Sequence, residues 1–168
     1  MIKEEDPSNL LNKGKLIELC NEMKNSDSWM VNKWYEKEKE NYILPLKSGS
    51  FIDESKILNA SCIMGIKLVQ DNVTSTQLRK LLSGFQVEKA KAKAKKSDLS
   101  TAQISKLKLN LAYMTARNHN IGKLTDLLDS LLDSKRFSES ANTNKQFDSV
   151  VTLLEGVIAY HKLAGGRD

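Results

Sequence analysis

Between positions 79 and 123 the chain places eleven lysines and arginines, among them Arg79, Lys80, Lys106, Lys108 and Arg117, against two acids, Glu88 and Asp98. Guanidinium and ammonium groups at that density neutralise phosphates or carboxylates. The flanking segments are mildly acidic, 1–78 with ten bases against twelve acids and 124–168 with five against seven. The net charge of +5 therefore conceals a cationic band of +9. Nucleic acid is the commonest polyanion such a band meets. A solvated helix face, or an acidic protein partner, accounts for the same charges at this point.

The other residues capable of chemistry are sparse. His119 and His161 belong to different elements, and neither sits in an HExxH motif. Cys20 and Cys62 lack a CxxC partner and read as reduced packing residues. No GxxxxGK[ST] or GxGxxG string is present. Asp126, Asp129 and Asp133 recur at i, i+3 and i+7, but hard cations need oxygens converging from several turns or elements. That row reads as an acidic face, solvated or meeting a basic partner. Binding is expected, with no catalytic step, no metal and no cofactor.

Elements of helix must position these groups. The chain has two prolines and eight glycines in 168 residues, is rich in Leu, Lys, Ala and Glu, and lacks alternating β-branched runs. Those properties predict an all-α fold. The expectation is a compact helical bundle of about five helices over 51–168, preceded by an N-terminal helical extension over 1–50. Helices are expected near 8–23, with Leu11, Leu16, Ile17 and Leu19 apolar, and near 27–42, with Asp27 as cap. A break follows at Pro45 and the Lys47-Ser48-Gly49-Ser50 stretch. A third helix starts near Asp53 and carries Ile57, Leu58, Cys62, Ile63, Ile66 and Val69. The fourth opens on Thr74 or Ser75 with Gln77 as capping-box partner, and Leu78, Leu81, Leu82 and Phe85 form its apolar side. It is expected to fade into a mobile lysine-rich connector over Lys89–Lys96.

From Thr101 to about Asn118, Ile104, Leu107, Leu111 and Met114 are spaced 3, 4 and 3, as in a bundle seam. Lys106, Asn110, Tyr113 and Arg117 then fall on another side of the same helix. Two bases, an amide and a ring in one exposed row suit phosphate contact and base stacking. A helix from Lys123 to Phe137, a loop over Ser138–Asn144 and a central helix from Lys145 to Leu163 complete the chain. His161 and Lys162 lie late in that last helix, where the histidine reads either as a structural residue or as a phosphate donor. No run approaches the ~20 apolar residues of a membrane span, and the acidic start does not read as a secretory leader. The expected location is cytoplasmic.

Three strings carry a resemblance: TSTQLRK at 74–80, LKLNLAYMTAR at 107–117 and EGVIAYHKLAGGRD at 155–168. In wording, order and spacing they resemble the small subunit of type III-A CRISPR effector complexes, the Csm-type small subunit, over about residues 54–168. The resemblance implies a non-catalytic helical bundle whose copies stack beside the subunits that hold the guide RNA. Its implied partners are single-stranded target RNA and guide RNA, the CRISPR backbone subunits, the large polymerase-like subunit and neighbouring copies of itself, in antiviral defence. Position by position it assigns RNA contact to Arg79, Lys80, Lys108, Arg117, His161 and Lys162, and helical spacing adds Lys106. Thr115-Ala116 departs from the family's small Ala-Gly pair before the arginine, and residues 1–50 exceed the usual family length. A helical protein-interaction module and a free-standing nucleic-acid-binding domain are the competing readings.

Overall fold

Helix is the only regular structure among the described residues, 6–133, 137 and 143–168 of a computed structural model. In chain order it comprises α1 (Pro7–Asn12), α2 (Leu16–Asn25), α3 (Ser28–Glu38), a π turn (Lys39–Ile43) and α4 (Leu44–Ser48). Then follow α5 (Glu54–Gln70), α6 (Ser75–Ala94), α7 (Thr101–Arg117), a 3₁₀ turn (His119–Ile121), α8 (Gly122–Leu131) and α9 (Thr143–Leu163). The all-α expectation holds, but the described chain carries more helices than expected. The N-terminal part is divided among four short α-helices and a π turn where two helices were expected. The loop expected over Ser138–Asn144 falls mostly outside the described residues, and Thr143 and Asn144 already belong to α9.

The core is organised around α5, whose residues from Asn59 to Leu68 are all buried. A helix enclosed on every side needs neighbours that come very near, and α9 does so at two glycines. A Cβ added to Gly65 would stand 2.8 Å from both the Val157 carbonyl oxygen and the His161 nitrogen, and one on Gly156 would stand 2.5 Å from Ser61 Oγ. Hydrogen at these positions lets the α5 and α9 backbones approach closely. Phe85 of α6 stacks on Phe147 of α9 with ring centroids 5.7 Å apart, and such a pair adds about 1 kcal/mol beyond its buried area.

The apolar stripe of α7 is buried as its spacing required: Ile104, Leu107, Leu111 and Met114 all join the main core. Other expectations fail for identifiable reasons. Pro45 itself does not break the chain, since it occupies the first turn of α4, where a missing N–H costs nothing, and the expected break comes after it, from Gly49 to Asp53. Gly14, at φ +71°, separates α1 from α2, so Leu16 and Ile17 turn outward at 55% and 79% exposure while Leu19 is buried. The lysine run is helical through Ala94 and not a connector. Ala92 is its inward side, and Lys89 pairs with Asp148 of α9 at 3.0 Å.

The N-terminal helices touch both cores. Leu10, Leu19, Met23, Val31 and Trp34 form a second cluster with Cys62 and Ile66 of α5 and Ala164, whereas Tyr35, Ile43 and Leu46 join the main one. The Cys62 thiol is pushed up to about 12, first by burial and then by the nearby Asp6 charge, so it is an unreactive packing group. No described helix is long and apolar enough to cross a membrane.

Candidate nucleic-acid interface

Two capping boxes start the helices that carry the basic band. Thr74 Oγ1 accepts from the Gln77 N–H at 3.2 Å while Gln77 Oε1 accepts from the Thr74 N–H at 2.8 Å. Ser100 and Gln103 repeat the exchange at 3.2 and 3.0 Å. Each satisfies two backbone donors that would otherwise lack partners. Gln103 also donates from Nε2 to the Glu88 carbonyl at 3.3 Å and to Glu88 Oε2 at 3.0 Å, pinning the start of α7 to the later half of α6. Two turns along α7, Asn110 Nδ2 lies 3.4 Å from where a Cβ on Gly84 would stand. The helices therefore run antiparallel, with hydrogen in place of a side chain at Gly84.

Along that seam the row Lys106, Asn110, Tyr113 and Arg117 of α7 borders Lys80, one turn before Gly84, and Lys91, two turns after it. All four cations are exposed, and Tyr113 presents 61% of its surface. The result is a shallow groove floored by Gly84 and Asn110 and edged with positive charge. Glu88 lies at one end, 3% exposed, with Lys91 Nζ at 3.3 Å and Lys106 Nζ at 3.4 Å from its Oε1. Burial pushes its carboxyl up, but the hydrogen bonds from Gln103, Lys91 and Lys106 outweigh burial and hold it below the usual carboxylate range. Glu88 is thus ionised at neutral pH and fixes where two lysines stand. Among the described residues, neither Lys80 nor Arg117 has an ion-pair partner.

The remaining basic candidates separate from this groove. Lys108 lies on the far side of α7, where its Nζ donates to the Asp129 carbonyl at 3.0 Å and pairs with Asp129 Oδ1 at 3.0 Å. It joins α7 to α8. The acidic row of α8 thereby acquires partners, since Asp126 pairs with Lys47 of α4 at 2.5 Å. Arg79 and Lys162 stand at the end of the molecule where α6 begins and α9 finishes, together with Arg167, whose guanidinium donates to Asn72 Oδ1 at 3.4 Å. Reasoning on the sequence missed Lys91, because a lysine run with no apolar side gives no helical phase. It also passed over Arg167, although that residue stands in the terminal string.

His161 is the correction. Its ring is fully buried, with Nε2–H donating to the Val73 carbonyl at 2.7 Å and Nδ1 facing Ser75 Oγ at 3.5 Å. A Cβ on Gly166 would overlap the ring, so only glycine fits over it. An imidazole enclosed in this way brackets α9 to the turn before α6 and does not reach the surface. Burial lowers its pKa from 6.5, the Lys162 charge lowers it further, and the Val73 bond opposes them. The folded state holds a neutral histidine that the unfolded chain protonates, so stability is full above about pH 6.5 and declines from there as pH falls through the folded pKa. Thermal melts from pH 7.5 to 5.5 should show that decline, and His161→Gln, which keeps an N–H near Nε2 but does not titrate, should flatten it.

Among the comparisons with known proteins, a family model described as Csm2 Type III-A matches residues 53–167, from the start of α5 to the tail. No curated protein and no solved structure matches the chain.

Proposed function

The chain belongs to the Csm2 Type III-A family, a structural subunit of the type III-A CRISPR complex, and on that premise we propose that it binds RNA without catalysing any reaction. The groove between α6 and α7 is the observation that supports this reading. Lys80, Lys91, Lys106 and Arg117 neutralise successive phosphates, Tyr113 offers a ring for a base or ribose, and the Asn110 amide supplies directional hydrogen bonds. Cations, an amide and a stacking ring along an interhelical groove favour any strand equally. Specificity then comes from pairing between guide and target, and the protein reads backbone. In this reading the subunit stacks with copies of itself along the complex, beside backbone subunits and the large polymerase-like subunit, and contacts the target strand and the guide duplex for antiviral defence in the cytoplasm.

The test is filter binding of single-stranded RNA of unrelated sequences across a salt series, with the chain alone and with the chain in its assembled complex, where weak contacts are multiplied. Each phosphate contact on a single strand contributes roughly 0.7 decade of affinity per decade of salt, so four give a slope near about −3. A flat response, or no binding in either setting, overturns the reading.

A further inference from the structure

The corner between α1 and α2 is ordered and yet apolar on its outside. Gly14 at φ +71° makes the turn, and the Lys15 N–H donates to the Leu10 carbonyl at 2.9 Å, which holds the corner in one shape. Leu16 and Ile17, the first two residues of α2, stand there side by side in water, with Lys13 and Lys15 just before them. Two adjacent aliphatic side chains on a fixed backbone make a small preformed knob. It lies outside the residues that the family model matches. A socket of matching character lies on the bundle. Where α5 and α9 close on one another at Ser61 and Gly156, a groove of about 700 Å³ opens beside them, with Ile57, Leu58, Gly156 and Ala159 as its apolar lining. The N-terminal helices cover Cys62 of α5 but leave Leu58, one turn earlier, exposed. The charged lining is Glu54, Asp148 and Glu155 against Lys145. Asp148 is matched by Lys89, whereas Glu54 and Glu155 pair with no base among the described residues.

An apolar groove rimmed by unmatched acids takes apolar side chains carried beside bases, and this chain supplies both halves. We infer that the Leu16–Ile17 corner of one copy docks in the α5–α9 groove of a second copy, with Lys13 and Lys15 turned toward Glu54 and Glu155. The two patches differ, so the contact is heterologous and repeats from copy to copy. That copies stack at all rests on the function proposed above; that this corner makes the contact, in the segment that exceeds the usual family length, is read from the two surfaces. None of the α6–α7 groove cations lines this socket, so RNA and neighbour are held on different faces. A contact this small joins free chains only at high concentration and gains strength when other subunits hold the copies in line.

Sedimentation equilibrium of the full-length chain, from micromolar to millimolar concentration, tests this. The weight-average mass should rise with concentration and pass that of a dimer. Ile17→Glu and Leu58→Glu should each weaken association at least about tenfold, the value of burying one aliphatic side chain. Leu109→Glu, at a similarly exposed leucine of α7, should change it less than about twofold. All three positions are exposed, so each variant should keep the helicity of the parent by circular dichroism. Mixing Ile17→Glu with Leu58→Glu decides the geometry. The first keeps an intact groove and the second an intact corner, so the mixture should form dimers and nothing larger. A mass that stays at the monomer or stops at the dimer, association that survives either substitution, or a mixture that stays monomeric overturns the contact. Filter binding of single-stranded oligouridylate is measured alongside. Absence of RNA binding by the parent and every variant sinks the α6–α7 groove reading and leaves this contact, which association alone decides.

Discussion

Gly65→Val is expected to remove a large part of the protein's stability, at least about 3 kcal/mol, at the upper end of overpacking costs. The reason is what the new side chain meets. A Cβ at position 65 would lie 2.8 Å from the backbone oxygen of Val157 and 2.8 Å from the backbone nitrogen of His161. Neither can rotate aside, so α9 must move away from α5 as a unit, exposing the face of α5 that α9 covers. Domains of this size are stable by about 5–15 kcal/mol, so a loss of that order sharply lowers the urea midpoint followed by circular dichroism. Gly156→Ala is expected to cost less, because the obstruction there is the side chain of Ser61, and Ser61→Gly in the same chain should recover part of it. A Gly65→Val protein with an unchanged midpoint would show that α5 and α9 do not approach as described.

Changing Lys80, Lys106 and Arg117 together to Ala is expected to weaken binding of single-stranded RNA about 100-fold at ~0.1 M salt. Removing the partners of three phosphates, at roughly 0.7 decade each relative to 1 M salt, gives about two decades. The salt slope should become shallower by about 2 units, to a similar extent for unrelated RNA sequences. Helicity should not change, because all three side chains are exposed and of the three only Lys106 meets an acid, Glu88, among the described residues. Lys108→Ala is the informative contrast. That lysine is committed to Asp129, so its removal should leave RNA binding within about twofold and cost at most ~1 kcal/mol of stability. A triple variant that unfolds would show that these cations are structural.

The difference between Lys106 and Lys108 shows how far the sequence could be read. The 3-4-3 spacing of Ile104, Leu107, Leu111 and Met114 sets the helical phase of α7, and from that phase the row Lys106, Asn110, Tyr113 and Arg117 follows. It does not say that α8 would lie on the opposite side, where Lys108 meets Asp129. Which neighbour covers which flank is a tertiary fact. The same limit hid α6: with only Ala92 and Glu88 turned inward along its later half, the lysine run shows no apolar period, and its helix is held by residue propensity and by a partner, Asp148, that is distant in sequence. For His161, late in an apolar helix and beside Lys162, the sequence left both a structural residue and a phosphate donor open. The structure encloses it because Gly166 and the turn before α6 close over the ring, a conjunction of three separate segments. In α5 the apolar stripe was legible, but Leu58, counted in it, is 53% exposed, while Lys67 is buried against Asp71 at 2.8 Å.

The acids of α8 lie across α7 from the cations of the groove, and Asp126 and Asp129 keep 70% and 52% of their side chains in water even while paired. With those acids each matched by a lysine, that flank is near neutral and the excess positive charge lies on the α6–α7 flank. On the function proposed above, a body charged on one flank experiences a torque near a polyanion and turns that flank toward the strand before any contact forms. The arrangement acts on how often a collision succeeds, and lowering the ionic strength should raise the association rate more than it slows dissociation.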